Sequence, residues 1–217
     1  MLIRKLVKSL IFLAYYNFCL LILASYIYLN MITLTIIALD QFVAFSDVMI
    51  RPSTPIKDAD TTTKIVGILL LLHPFFLVLL FYENLLLTSI VLPSLDTPVI
   101  SYIGIIVYII GGILVLRSRI QLGRYGDGTT KLKEDHHLLT KGIYNYIRHP
   151  LYSGAIIGRF GLGLSFRGYL GMILFVLVYF IVFRKRMEIE EQSLTSEFGD
   201  EYEEYMKRTK RLFPYIY

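Results

Sequence analysis

Five apolar runs, Leu10–Phe45, Ile65–Leu92, Val99–Leu116, Leu151–Phe166 and Gly168–Phe183, dominate this chain of 217 residues. Runs near 20 residues match the hydrocarbon thickness of a bilayer when coiled as helices. An open sheet facing lipid would leave its backbone groups unpaired, so the runs read as helices. Composition agrees: 55% of residues are hydrophobic and 18% charged, more apolar side chains than a soluble core of this size can hide. The fold class is therefore all-α, a polytopic membrane helical bundle. The first run is too long for one simple span. It is either one tilted helix that protrudes or a tight hairpin of two short helices turning near Leu29-Asn30, which gives about five transmembrane helices, with six possible. The last two runs are short, roughly 24 Å each at 1.5 Å per residue.

Basic residues set the expected orientation. Arg117, Arg119, Arg124, Lys131, Lys133, Lys141 and Arg148 separate the third and fourth runs, and Arg184, Lys185 and Arg186 follow the fifth. Excess Lys and Arg mark cytoplasmic segments, so both regions face the cytoplasm and the last two runs form a hairpin turning at Arg167-Gly168. Five spans place the N-terminus outside, against the preference of Arg4, Lys5 and Lys8, a conflict that six spans remove. The start of the chain resembles a secretory signal, but no small-residue cleavage site closes it, and it reads as a retained anchor. The net charge of +5 suits loops beside anionic lipid and not nucleic acid. Cys19 is the only cysteine, which excludes an intrachain disulfide and argues against a thiolate metal site. His136 and His137 are adjacent and cannot share a helical face, so no metal site is expected. Tryptophan is absent, and 17 tyrosines are left to supply an interfacial belt. No glycine-rich dinucleotide loop is present.

The chemistry-bearing stretch is Tyr144-Asn145-Tyr146-Ile147-Arg148-His149-Pro150-Leu151-Tyr152-Ser153-Gly154, hard against a membrane-length run. Pro150 suits the first turn of a helix and pushes His149 towards an extended conformation. The helix start then presents free N–H groups and a partial positive charge to an anion. An ordinary helix start near lipid headgroups is the plainer alternative. Gly154 and Gly158 are spaced for close helix packing. Arg159 falls mid-span, where an arginine is costly and suggests function unless it snorkels. His73-Pro74 marks a kink, and Glu83 and Asn84 mark the interfacial end of the second run. Arg186 and Glu190 are four apart on a helix leaving the last span, a spacing that also describes a surface ion pair worth about 0.2 to 0.5 kcal/mol. Gly199 can end that helix, and Asp200 with Glu203 resembles a capping box starting another.

Taken in order, Leu122-Gly123-Arg124, His137-Leu138-Leu139, Gly142-Ile143-Tyr144, Arg148-His149-Pro150-Leu151-Tyr152, Glu190-Glu191, Phe198-Gly199 and Tyr202 with Tyr205 resemble the motif string of the isoprenylcysteine carboxyl methyltransferase family, in its prokaryotic-type integral membrane form. The resemblance runs from Leu116 to Pro214 within a single domain, residues 116–214 carrying the motifs and residues 1–115 the N-terminal spans. It departs at Ile143, where the family usually shows proline. The resemblance implies methyl transfer from S-adenosyl-L-methionine to a lipid-embedded acceptor, first of all carboxyl O-methylation of an isoprenylcysteine-like substrate, at a cofactor site facing the cytoplasm. It implies cofactor contacts at His137, Leu138, Leu139, Gly142, Tyr144, His149, Tyr152, Glu190 and Glu191. Arg186 is expected to hold the acceptor carboxylate and, with Glu190, to serve the reaction. The helix from Asp200 is expected either to fold back as a lid or to lie on headgroups. The partners implied are the bilayer and a prenylated or other lipophilic small molecule. Alternatives are a phospholipid N-methyltransferase, with Glu190 or Glu191 as base, an NADPH-dependent reductase of the sterol reductase type, and a non-enzymatic membrane scaffold or channel.

Overall fold

The computed structural model describes residues 6–7, 10–18, 31–50, 61–125 and 137–214. Among these the chain is almost entirely helical: α1 (10–18), α2 (Met31–Ile50), α3 (Thr61–Glu83), the short α4 (Ser89–Val91), α5 (Pro98–Leu122), α6 (Pro150–Phe166), α7 (Tyr169–Phe198) and α8 (Asp200–Arg208). The β pairing among the described residues is a single bridge between Ile147 and Lys210.

The first apolar run doubles back. Tyr16 donates its hydroxyl to Asp40 at 2.6 Å, and the Gln41 amide donates to Asn17 at 2.8 Å. One continuous helix would hold those partners about 36 Å apart, so the hairpin reading stands and the tilted-helix reading falls. Leu29-Asn30, where the turn was expected, lies outside the described residues. The second run is longer than its polar markers suggested. Helix α3 continues through Pro74 and, past Glu83, through a π turn at Asn84–Thr88 into α4. Thr61–Val91 and Pro98–Leu122 are the two described helices long and apolar enough to cross a membrane by length and composition. Their outer faces expose Ile68 and Leu72 on one and Ile106 and Ile110 on the other, apolar side chains suited to lipid.

The hairpin forms where the sequence placed it. Helix α6 stops at Phe166, Arg167 takes a left-handed conformation with φ 58°, and the Gly168 N–H returns to the Gly163 carbonyl at 3.1 Å. Arg167 pairs with Asp96 at 2.7 Å. Glu83 accepts the N–H groups of Leu170 and Gly171 at 2.6 and 2.7 Å, satisfying two donors that a helix start leaves unpaired and adding a negative charge there. Glu83 is thus a staple between α3 and α7 and not merely an interfacial marker.

Helices α5 and α6 pack antiparallel through small residues. A Cβ at Gly111 would sit 2.7 Å from the Gly154 carbonyl oxygen, and one at Gly154 2.7 Å from that of Gly111, so neither position has room for a side chain. At the other end of the molecule Gly199 bends the chain at φ 50°. Its carbonyl accepts the N–H groups of Tyr202 and Glu203 at 3.1 Å, which makes Gly199 the N-cap and Asp200 the first helical residue. The expected capping box is therefore displaced by a backbone bend, without a side-chain cap bond. The tail then crosses the motif: Arg148 and His149 donate their N–H groups to the carbonyls of Lys210 and Arg211 at 2.8 and 2.9 Å. The Ser153 hydroxyl, one turn into α6, donates to the Leu212 carbonyl at 2.5 Å.

Candidate active site

Pro150 opens α6 and His149 stands outside it at φ −124°, ψ 57°, as the His-Pro sequence dictates. His149 stacks on Tyr152 at 5.6 Å between ring centres, and Tyr152 stacks on Phe183 of α7 at 4.6 Å. This aromatic column fixes the height at which α7 presents its charged residues. Arg186 is buried, 3% exposed. It donates from Nε to the Tyr152 hydroxyl at 2.7 Å and to Glu190 at 3.0 Å, and from Nη1 to Thr63 at the start of α3 at 2.9 Å. Tyr152 in turn donates to Glu190 at 2.5 Å. The His149 Nδ1 lies 3.6 Å from the second Glu190 oxygen. Helical spacing alone allowed a surface ion pair; burial makes it a desolvated one, whose geometry is held by every partner it touches.

The neighbouring Glu191 has a different task. Its carboxylate accepts from Arg148 at 2.9 Å, from His149 Nε2 at 3.2 Å, and from Arg211 Nε and Nη2 at 2.9 and 2.6 Å. Burial would raise this carboxyl, but the hydrogen bonds from His149 and Arg211, with Arg148 beside them, hold it down at about 2. Glu191 therefore stays charged and ties α7 to the motif loop and the tail. His149 bridges the two acids, one through each ring nitrogen.

A cavity of about 270 Å³ opens beside this network. Leu138, Leu139, Tyr144, His149, Tyr152, Arg186 and Glu190 all line it, and α8 closes it with Tyr202 and Tyr205. Burial raises the Tyr205 hydroxyl to about 12 against the lowering effect of Arg148 and Arg208, so it stays protonated and donates to the Tyr144 carbonyl at 2.6 Å. That bond, with the Ile143 N–H donating to Gln121 at 3.2 Å, shapes the turn where Ile143 replaces the expected proline. Gly142 takes φ 64° there, a conformation glycine adopts without strain. Three of the sequence-derived residues lie off the cavity wall: His137 is exposed, Gly142 faces an outer groove, and Glu191 faces away towards Arg211. Thr63 carried no advance signal, and Arg148 and Arg211 stood out as motif residues but not as clamps on Glu191, because these roles depend on which distant segments meet. Among the described residues no three His, Cys, Asp or Glu side chains cluster as a metal site would require.

The site is thus a charged network anchored at one end of a cavity within a helical bundle, and the sequence comparisons say which known proteins the chain is similar to. Residues 99–201 match the family model described as phospholipid methyltransferase. A protein of Oryza sativa subsp. indica named probable protein-S-isoprenylcysteine O-methyltransferase is 34% identical over 119 residues, 54% of this chain and 62% of that one. The protein-S-isoprenylcysteine O-methyltransferase of Schizosaccharomyces pombe is 40% identical over 87 residues, 40% of this chain and 37% of that one. The chain thus spans less than two thirds of the length of these curated relatives. A solved structure of the eukaryotic intramembrane Ras methyltransferase, isoprenylcysteine carboxyl methyltransferase, superposes with a TM-score of 0.55 over 97% of this chain and 86% of that one, at 20% identity. That likeness carries the fold. Together the matches bear out the resemblance of the motif string to the isoprenylcysteine carboxyl methyltransferase family.

Proposed function

We propose that this chain is an S-adenosylmethionine-dependent methyltransferase that methylates the carboxylate of a lipid-embedded, isoprenylcysteine-like acceptor. The observation that carries the reading is the juxtaposition of Arg186 and Glu190, fixed by Tyr152 and His149, with a cavity that continues between apolar helices. The cofactor is a sulfonium and ammonium dication that also bears a carboxylate, and when bound it supplies an electrophilic methyl group. The wall fits such a ligand. The Glu190 side chain, 21% exposed, offers a carboxylate to its cations, the start of α6 beside His149 suits its carboxylate, and Leu138 and Leu139 offer apolar contact for a flat base.

The acceptor carboxylate is already ionised at neutral pH, so the chain needs no general base. Its work is to hold, orient and dehydrate. Arg186 supplies a positive charge of fixed direction for the acceptor, Glu190 neutralises Arg186 when the site is open, and Tyr202 and Tyr205 keep water from the cavity's mouth. Glu191 positions His149 from behind instead of contacting the cofactor, and His137 and Gly142 shape the approach loop. The family model's description favours a second reading, phospholipid N-methylation, in which Glu190 takes a proton from the acceptor amine. The guanidinium of Arg186 beside the cavity favours an anionic acceptor over an ammonium one.

In this reading the doubled first apolar run crosses the bilayer twice and the runs carrying α3, α5, α6 and α7 once each. Six crossings put the N-terminus on the same side as the active site, in the cytoplasm, where Arg4, Lys5 and Lys8 prefer to be. Equilibrium binding tests the cofactor: S-adenosylhomocysteine should bind the purified protein in lipid-like detergent with at least micromolar affinity, about −8 kcal/mol. Binding of NADPH in its place would show a reductase.

A further inference from the structure

The cavity does not end in hydrocarbon. Ten residues beyond His149, and so roughly 15 Å further along α6, it meets a second polar group formed by Asp40, His73, Tyr108 and Arg159. Asp40 is 3% exposed and accepts from the Tyr16 hydroxyl at 2.6 Å, the Tyr108 hydroxyl at 2.9 Å and His73 Nε2 at 2.8 Å. Those three bonds draw helices α1, α2, α3 and α5 together around one carboxylate. Arg159 enters from α6 and is held by aromatic faces, its guanidinium carbon 4.8 Å from the centre of the Tyr179 ring and 5.5 Å from that of Phe175. The position excludes snorkelling, since the side chain turns inward to a cavity wall. Three buried atoms here find no hydrogen-bond partner among the described residues, Arg159 Nε, His73 Nδ1 and the hydroxyl of Tyr179, on whose ring Arg159 rests. Arginine can only donate, and His73, whose Nε2 is taken by Asp40, has only Nδ1 left for a further hydrogen bond, as acceptor in the neutral ring and as donor in the protonated one. Buried polar atoms in native proteins are nearly always paired, and an arginine at this depth is too costly to be idle.

We infer that the inner end of the cavity is a subsite for an oxygen function, an alcohol above all, carried on the acceptor's tail about 15 Å from the group that is methylated. An alcohol complements both kinds of orphan atom, because it can accept from Arg159 and donate to a histidine nitrogen. A plain hydrocarbon tail satisfies neither. The inference deepens the methyltransferase reading and rests on it for the identity of the acceptor's other end.

Two probes that differ in one atom test it: S-octyl-N-acetylcysteine and its 8-hydroxyoctyl analogue, titrated calorimetrically into the full chain in detergent. The hydroxylated probe should bind about tenfold tighter or better, the worth of one hydrogen bond to a charged donor, although it is the less lipophilic of the two. Arg159→Met should bring the ratio close to one, and Arg159→Lys, which keeps a charged donor, should retain part of it. Equal binding of both probes to the unaltered chain, or preference for the probe that lacks the hydroxyl, would overturn the subsite whether or not the variants fold. So would a preference that survives Arg159→Met. Methyl transfer to the same probes is scored separately. Hydroxyl preference without transfer would sink the methyltransferase reading and leave the subsite standing; transfer without preference would sink the subsite alone.

Discussion

Glu190 and Glu191 are adjacent in sequence and about 100° apart around α7, and that rotation divides their work. Glu190 faces the cavity with Arg186 and Tyr152; Glu191 faces the tail with Arg148 and Arg211. Arg186→Ala should therefore cost about 2 to 4 kcal/mol in kcat/KM, as loss of a positioned charged donor does, while S-adenosylhomocysteine affinity is largely kept. Glu190→Gln should do the reverse, weakening cofactor binding in the same titration. Glu191→Gln should act on stability, by about 3 kcal/mol, because it strips the charge from a buried cluster of cations. The pH dependence has a definite sign. The folded state depresses the Glu191 carboxyl from 4.5 to about 2, so its contribution is fully present above the ordinary value and is lost as pH falls through the folded one. Thermal unfolding in detergent should show the unaltered chain losing Tm more steeply below about pH 5 than Glu191→Gln does. The types and order of these residues were legible in the sequence. Which glutamate faced the cavity was not, since that depends on the rotation of α7 against a tail that returns from residues 209–212.

The elements divide in the same way between local and distant causes. The turn at Arg167-Gly168 and the break at Gly199 were legible because each is a local backbone requirement. The capture of α7 by Glu83 was not, because it answers to a partner helix nearly ninety residues away. The small-residue face on α6 was visible as Gly154 and Gly158, but its two glycines are not equivalent. A Cβ at Gly158 would meet only the Tyr108 ring at 3.8 Å, ordinary contact, whereas one at Gly154 would press on the Gly111 carbonyl and the Val115 backbone N–H at 2.7 and 2.9 Å. Gly158→Ala should therefore be neutral or stabilising by up to about 1 kcal/mol through helix propensity. Gly154→Ala should destabilise by about 1 to 3 kcal/mol through overpacking. Thermal melts of the two variants read the difference, and equal losses would show that α5 and α6 are not packed this tightly.

At the scale of the molecule, composition pointed to a bundle of long apolar helices, which the structure has, and the motif string pointed to a charged cluster, which it gathers at one end of the cavity. What no local signal foretold is that the N-terminal half reaches the cavity, with Thr63 bonded to Arg186 at the charged end and Asp40 and His73 on the wall within the bundle. The two ends are separable by labelling. In a Cys19→Ser background, single cysteines at the exposed positions Lys141 and Ser196 should react from one side of the membrane and one at Ser94 from the other. The same side for all three would dissolve the bundle's polarity. The central claim, methylation of a carboxylate, is tested most directly by the chemical form of the product. Purified protein is given S-adenosylmethionine carrying a labelled methyl group, with a prenylcysteine acceptor in one vessel and phosphatidylethanolamine in the other. The account predicts label in the prenylcysteine that mild alkali releases as methanol, the mark of a carboxyl ester; alkali-stable label in the phospholipid, or no transfer to either acceptor, would contradict it.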